Sequence, residues 1–143
     1  MIVRPSQDAD AINAVVNADA VRPFVGLPHL GYLDFTQAVK LPENLFFMGE
    51  HGGFAVIGPQ SDVKEVHAFI LPEGRGRWAL MAAYHAVRLC AESGVKMLIA
   101  QVQDARRDVA TFARHVGLQP TGVRSFLPGF GIYAMEIDKC LLQ

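Results

Sequence analysis

The sequence predicts a layered α/β domain, in which one central sheet of about six or seven strands is flanked by helices. Two observations lead to this fold class. Short apolar runs typical of strands alternate along the chain with longer helical periods. In addition, the apolar run at residues 64–71 leads into a turn rich in glycine and arginine, and a long Ala-rich helical signal follows from residue 77. The predicted order is strand, two helices, three strands, helix, strand, helix and two strands.

The amino-terminal part combines a strand, two helices and a hairpin. Residues 1–5 predict a short first strand, and a helical period follows to about residue 20. Residues 34–40 predict a second short helix. Residues 44–50 and 54–57 predict a hairpin, because two glycines separate two apolar runs.

The remainder alternates strands and helices before a closing hairpin. The predicted elements are a strand at 64–71, a helix at 77–93, a strand at 95–102, a helix at 106–116 and a hairpin formed by 118–126 and 130–137. Pro72 ends the first of these strands, because proline has no N–H to donate to a ladder. Pro128 and Gly129 suit the two central positions of a type II turn in the hairpin.

Length and composition indicate one globular domain over residues 1–143. Hydrophobic residues make up 51% of the chain and charged residues 19%, a balance that argues against disorder. The formal net charge is -1, so no global field attracts nucleic acid or a membrane surface. No apolar run reaches the ~20 residues of a membrane span. Without a signal-peptide pattern, and with Cys90 and Cys140 outside any small disulfide framework, we expect a cytoplasmic protein with reduced thiols.

The turn after the 64–71 strand has the features of an anion-binding site. Gly74 and Gly76 alternate with Arg75 and Arg77 immediately before the helix. Glycine lets the backbone approach a ligand, and the first N–H groups of a helix are unpaired. The helix dipole also favours an anion at this end. The turn therefore predicts a phosphate-binding site.

The same stretch resembles the central motif of the GNAT acetyltransferase superfamily, Q/R-x-x-G-x-G/A after a strand that ends in proline. The residues from Arg75 to Leu80 match at the arginine, and Leu71-Pro72-Glu73 precede them as in the family. Trp78 and Leu80 stand where the family has its central glycine and second small residue. The predicted order of elements is also the GNAT order around a mixed sheet, so the resemblance covers nearly the whole chain, as a degenerate small member. Such compact chains also resemble proteins encoded in bacteriophage genomes.

The resemblance implies acetyl-CoA as co-substrate and no metal. In the family, the strand at 64–71 splays from the next parallel strand, and the cofactor lies in the gap. The implied pantetheine edge is Phe69, Ile70 and Leu71, and the implied pyrophosphate site is Arg75, Gly76, Arg77, Trp78 and Ala79. Arg106 is implied as a partner for the 3′-phosphate or adenine end.

The implied reaction moves an acetyl group to a primary amine by direct attack, which needs a base for the ammonium proton. His67 and then Glu65 are the base candidates, since both lie on one face of the 64–71 strand, where the family often places its base. A histidine on an apolar strand is equally typical of a hydrogen-bonded core residue. Ala113 stands where many members have a tyrosine that protonates the leaving thiolate, and Arg106 replaces a frequent asparagine.

Three functional hypotheses are compatible with this sequence. The leading hypothesis is the N-acyltransferase, whose acceptor is a small-molecule or peptide amine. The second is a non-catalytic GNAT-fold module that binds CoA or a protein partner. Nucleic-acid binding through arginines is disfavoured, because aromatic interleaving and a basic balance are lacking. The apolar closing hairpin is a possible homodimer contact, and the scattered histidines predict no metal site.

Overall fold

The computed structural model describes residues 2–26 and 30–137, which form a seven-stranded sheet with three α-helices. The helices are α1 (Ala9–Val16), α2 (Arg77–Glu92) and α3 (Arg107–Val116). The strands are β1 (Val3–Pro5), β2 (Leu45–Gly49), β3 (Gly52–Ile57), β4 (Val63–Ile70), β5 (Met97–Gln103), β6 (Gln119–Arg124) and β7 (Phe130–Glu136). Cys140 lies outside the described residues.

The sheet is mixed, with the strand order β1-β2-β3-β4-β5-β7-β6. Strand β4 pairs with β5 in parallel, and every other neighbouring pair is antiparallel. The connection from β4 to β5 runs through α2, as a parallel pair requires. Strand β7 lies between β5 and β6, so the closing hairpin completes one edge of the sheet. The predicted α/β fold class is confirmed.

Apolar cores lie on both faces of the sheet. Phe46 and Phe47 are neighbours in β2 and are 3% and 2% exposed. Phe46 packs with Ile12 and Val16 of α1, whereas Phe47 packs with residues of α2 such as Ala82. Because strand side chains alternate between faces, burial on both sides explains why the inner strands read as continuous apolar runs.

The predicted helix at residues 34–40 is wrong: this segment has only a 3₁₀ turn at Ala38–Lys40. Side-chain amides of α1 hold the preceding chain instead. The N–H of Leu33 donates to Asn17 Oδ1 at 2.8 Å, and the N–H of Phe35 donates to Asn13 Oδ1 at 2.8 Å. Backbone groups that bond to side chains in this way are not available to a helix ladder.

Two local predictions about the ends of the chain are confirmed. Strand β1 is tied to α2, because the N–H groups of Ile2 and Val3 both donate to His85 Nδ1, at 3.3 and 3.2 Å. In the closing hairpin the N–H of Phe130 donates to the carbonyl of Leu127 at 3.2 Å, and Gly129 has a φ of 83°. That is the type II turn expected from proline followed by glycine.

Within the described residues, no helix has both the length and the apolar character to cross a bilayer.

Candidate functional site

Strands β4 and β5 separate part-way along their length. The parallel pairing covers Val63–Glu65 and Met97–Ile99 only. Beyond it, β4 keeps its partner β3 but loses β5. The N–H of Leu71 donates to the carbonyl of His51 at 2.9 Å, and the alternation of an antiparallel ladder then turns the main-chain groups of Ala68 and Ile70 toward the gap. Of the predicted pantetheine edge Phe69–Leu71, Ile70 is the residue whose main-chain groups face the gap.

A cavity of about 520 Å³ passes through this gap. Its wall on the face that carries α2 and α3, here called the α2 half, is apolar and includes Ala79, Ala83, Val102 and Phe112. Its wall on the opposite face, here called the α1 half, carries the polar side chains. The α1 half is lined by Val21, Phe24, Val25, Glu65, His67, Gln101, Leu127 and Phe130. The gap thus joins an apolar channel to a chamber that contains titratable groups.

The start of α2 presents unpaired amides beside this cavity. Gly76 is the N-cap with a φ of 101° and supplies no side-chain cap. The N–H of Leu80 is the first to close a helical bond, to the carbonyl of Gly76 at 3.1 Å. For the N–H groups of residues 76–79, no hydrogen-bond acceptor is found within the described parts of the chain. Gly76 and Ala79 also line the cavity, so the arrangement has the donors and dipole that an anion site needs.

Trp78 points away from the cavity. Its indole makes an edge-on contact with His51, with ring centroids 5.0 Å apart. It fills space left by two glycines, since a Cβ at Gly49 or Gly74 would come within 2.9 Å of the indole. The tryptophan at the position of the motif glycine therefore neither blocks the cavity nor occupies the amides. Sequence reasoning missed the two glycines, which are separated from each other along the chain and meet only at the indole.

Two arginines at the cavity are engaged by protein groups. Arg75 Nη2 donates to the carbonyl of Ala20 at 2.5 Å, and its Nε donates to Ile70 at 3.3 Å. The guanidinium carbon of Arg75 lies 5.6 Å from the centroid of the Phe24 ring, and that of Arg106 lies 3.8 Å from the same centroid. These contacts tie the segment after α1 to both sides of the gap.

Arg106 is also held by a carboxylate. Its Nε and Nη2 donate to the two oxygens of Asp108, at 3.0 and 2.8 Å. These hydrogen bonds lower the pKa of Asp108 to about 2 and raise the pKa of Arg106 above its usual value. The side chain predicted to meet the adenine end of CoA therefore already has an anionic partner in the protein.

Glu65 and His67 meet in the α1 half, and a chain of side chains extends from them. His67 Nε2 lies 3.4 Å from Glu65 Oε1. Gln101 Nε2 donates to the same oxygen at 3.0 Å, and Ser125 Oγ donates to Gln101 Oε1. Sequence reasoning placed the first two residues on one strand face but missed Gln101 and Ser125, since their approach depends on the splay of β5 and on the closing hairpin.

The imidazole of His67 is in the form that can accept a proton at neutral pH. Its side chain is 36% exposed, and this surface borders the cavity. Burial lowers the pKa of His67 below its usual value, and the nearby charge of Glu65 opposes that change. The imidazole is therefore neutral near pH 7, with a carboxylate beside it to stabilise the protonated form.

Two other cavity residues limit the available chemistry. Ala113 in α3 is buried and has no proton to give. Cys90 lines the inner end of the cavity, and burial raises the pKa of its thiol to about 12. A thiol in this state is a poor nucleophile, because the thiolate is the reactive form. Within the described residues, no group of three His, Cys, Asp or Glu side chains is arranged to hold a metal ion.

No family model and no curated protein matches this sequence, but solved structures do. A GNAT-family acetyltransferase from Bacillus anthracis is 15% identical, with 94% of this chain and 93% of that one covered and a TM-score of 0.69. The fold is that of the GNAT acetyltransferases. Spermidine N-acetyltransferase from Vibrio cholerae, in complex with CoA and spermine, is 15% identical, with 97% of this chain and 96% of that one covered and a TM-score of 0.74.

A third solved structure has the same GNAT fold over nearly the whole chain. Aminoglycoside 6′-acetyltransferase type Ii is 15% identical, with 96% of this chain and 98% of that one covered and a TM-score of 0.72. Identities this low establish the fold and leave the activity to be argued from the cavity itself.

Proposed function

We propose that the protein is an acetyl-CoA-dependent N-acetyltransferase that acts on a primary amine. The observation that carries the proposal is the cavity through the β4–β5 gap, with open amides at its edge and a His–Glu pair in its α1 half. Solved proteins of the same fold support it, since one was solved with CoA and spermine and another is an aminoglycoside acetyltransferase.

The residues around the gap suit the parts of a CoA molecule. The N–H groups of residues 76–79 would receive the pyrophosphate, with the exposed side chain of Arg77 close by. The main-chain groups of Ala68 and the N–H of Ile70 would pair with the pantetheine amides, since the carbonyl of Ile70 already accepts from Arg75. The apolar α2 half would hold the arm out of water. Arg75 and Arg106 would bind a phosphate only after breaking their hydrogen bonds to the carbonyl of Ala20 and to Asp108, respectively.

Acetyl-CoA supplies an acetyl thioester, and the chain supplies a base. His67 takes the proton from the incoming ammonium group, because its lowered pKa keeps the imidazole neutral at pH 7. Glu65 stabilises the resulting imidazolium at 3.4 Å. The amine nitrogen then forms the C–N bond to the acetyl carbon, the C–S bond breaks, and the sulfur leaves as thiolate. The nitrogen loses its second proton to solvent, the thiolate takes up a proton from solvent, and the imidazolium of His67 returns its proton to solvent.

Direct attack by the amine is favoured over an acyl-enzyme. A covalent route needs a nucleophile in the cavity, and the thiol there, Cys90, has a pKa of about 12. Its side chain is also buried in the same apolar core as Leu98. Neither its protonation state nor its position suits it to accept an acetyl group.

A non-catalytic module that binds CoA or a protein partner is the second candidate. The observation that favours it is Ala113, which leaves the departing thiolate without a side-chain acid in α3. Thiolates leave without full protonation at neutral pH more readily than amines do, so the absence of this acid slows a transferase but does not abolish it.

Calorimetry with CoA and acetyl-CoA, followed by thiol release with a panel of amines, tests both candidates. We expect binding of the cofactor and amine-dependent thiol release. His67→Ala should lower kcat/KM by about 10²-fold or more and leave CoA affinity unchanged, whereas His115→Ala, on the exposed side of α3, serves as the matched control. Binding of CoA without turnover supports the module, and absence of CoA binding overturns the transferase and leaves only a module that binds a protein partner.

A further inference from the structure

The charges that line the cavity are few, and two of them form an ion pair. Its carboxylates are Glu65 and Asp108. Both oxygens of Asp108 accept from Arg106, so the guanidinium balances the charge of this carboxylate. Residues 27–29, which lie outside the described part, are leucine, proline and histidine and add no acid. Within the described residues, Glu65 is thus the one carboxylate that the α1 half offers to a cation.

The geometry of Glu65 leaves room for a single ammonium group. Its Oε1 accepts from Gln101 at 3.0 Å and faces His67 at 3.4 Å. Its Oε2 has no hydrogen-bond donor within the described residues, and the side chain is 28% exposed where it borders the cavity. An ammonium bound to Oε2 lies beside the base that takes its proton.

The rest of the α1 half is apolar. Val21 and Val25 from the segment after α1 are 1% and 5% exposed, and Leu127 and Phe130 line the cavity from the closing hairpin. A second ammonium placed among these side chains would lose its hydration without gaining a counter-ion, which is unfavourable. The guanidiniums near Phe24 would repel it as well.

We infer that the acceptor is a primary monoamine with an apolar body, and that polycationic amines are rejected. This inference rests on the proposed transferase activity and narrows it to one substrate class. It separates this chain from solved proteins of the same fold that act on spermidine or an aminoglycoside. Glu65, the one carboxylate of the α1 half, would bind a single ammonium group, and the apolar wall would contact the rest of the acceptor.

Thiol release from acetyl-CoA with 2-phenylethylamine, hexylamine, spermidine and kanamycin tests the inference. We expect kcat/KM for the two monoamines to exceed that for the polycations by at least about tenfold, a difference of about 1.4 kcal/mol. Glu65→Gln should raise KM for 2-phenylethylamine. Leu127→Glu adds a second carboxylate to the wall and should raise kcat/KM for spermidine about tenfold, whereas the uncharged control Leu127→Gln should not.

A binding measurement keeps the two proposals distinguishable. With CoA present, titration of 2-phenylethylamine should shift the amide NMR signals of Glu65 and Gln101, and spermidine at equal concentration should not. Turnover of spermidine as efficient as that of the monoamines overturns the acceptor class and leaves the transferase standing. Thiol release with none of the amines, although CoA binds, overturns the transferase and its acceptor together.

Discussion

The guanidinium of Arg106 stacks on the ring of Phe24, with 3.8 Å between the guanidinium carbon and the ring centroid. The same guanidinium forms two hydrogen bonds to Asp108. Arg106 directly precedes α3, and Phe24 belongs to the segment after α1. The cation–π contact therefore links two segments on opposite sides of the cavity, and the ion pair with Asp108 holds the guanidinium in place within its own segment.

Removing this arginine should release Asp108. In Arg106→Gln we expect the pKa of Asp108 to rise from about 2 toward the ordinary value of 3.8, because the hydrogen bonds from Arg106 are the largest cause of its lowering. NMR titration of the carboxyl carbon measures this change. Asp104, whose pKa is lowered by Arg124 instead, is the internal control and should not move. An unchanged pKa at Asp108 would mean that another group holds it ionised.

The effect of the same variant on stability has a defined sign. A carboxyl whose folded pKa is lowered stabilises the protein above its unfolded pKa, and this contribution is lost as pH falls. For Asp108 the loss falls between about pH 4 and pH 2. Because Asp108 is largely exposed, we expect a difference of less than about 1 kcal/mol between wild type and Arg106→Gln at neutral pH. Urea denaturation at neutral and acid pH should show that difference shrinking below pH 4.

Replacing Trp78 by the glycine of the GNAT motif should destabilise the protein without improving CoA binding. Trp78→Gly would restore the glycine of the GNAT motif, but it would also empty the space beside Gly49, Gly74 and His51. We expect a loss of about 2–3 kcal/mol in the free energy of unfolding, below the range for a fully buried tryptophan. We expect no gain in CoA affinity, because the indole does not line the cavity.

Urea denaturation and calorimetry measure the two effects of Trp78→Gly separately. Trp78→Phe, which keeps an aromatic ring beside His51, is the matched control and should lose less stability. Tighter CoA binding by the glycine variant would contradict the orientation of the indole.

The pH dependence of activity should report His67. Since burial lowers its pKa, the acidic limb of kcat/KM should lie below the ordinary histidine value of 6.5. The charge of Glu65 opposes that lowering, so Glu65→Gln should bring the pKa of His67 down further. NMR titration of the imidazole C–H signals follows this directly in the absence of substrate. A rise of the His67 pKa in Glu65→Gln would exclude an ion pair between the two side chains.

The free energy of unfolding should also depend on the protonation of His67, and it should decrease as the pH falls. The imidazole has a lower pKa in the folded protein than in the unfolded chain, so the native state binds fewer protons. The contribution of His67 is therefore complete above pH 6.5 and is lost as the pH falls. We expect the midpoint of urea denaturation to fall less between neutral pH and about pH 5 in His67→Gln than in wild type.

The order of elements follows from local patterns, and the seven strands lie close to their predicted positions. Glycine or proline lies next to most of the apolar runs, and burial on both faces preserves the signal over the inner strands. The helix predicted at residues 34–40 does not form, because Asn13 and Asn17 set the conformation of this segment. Their role appears only when α1 lies beside the loop. Tertiary hydrogen bonds override the helix propensity of this segment.

The site was predictable where neighbours in sequence are neighbours in space. Glu65 and His67 are two residues apart on a strand and must share a face, and the amides at the start of α2 follow from the end of a helix. The partners of Arg75 and Arg106 were not predictable, since Ala20 and Phe24 reach them from a distant segment. Contacts of this kind depend on how loops close over a cavity.

Asn13 offers a test of the contacts that replaced the predicted helix. It is 6% exposed, its Nδ2 donates to Asp34 Oδ1 at 3.0 Å, and its Oδ1 accepts from the N–H of Phe35. Asn13→Asp removes the donor and sets a second carboxylate against the first. We expect a loss of about 1–3 kcal/mol, because a buried polar group is left without its partner. Urea denaturation measures the loss.

The double variant Asn13→Asp with Asp34→Asn restores a donor and an acceptor in reversed order. The N–H and hydroxyl of Thr36, which both donate to Asp34 Oδ1 in the wild type, can still donate to the amide oxygen of an asparagine there. We therefore expect the double variant to recover most of the lost stability, whereas Asp34→Asn alone should change stability little. Failure of this rescue would mean that burial of a carboxylate at position 13, rather than the lost donor to Asp34, causes the loss, since an oxygen that can accept from the N–H of Phe35 is present in every variant.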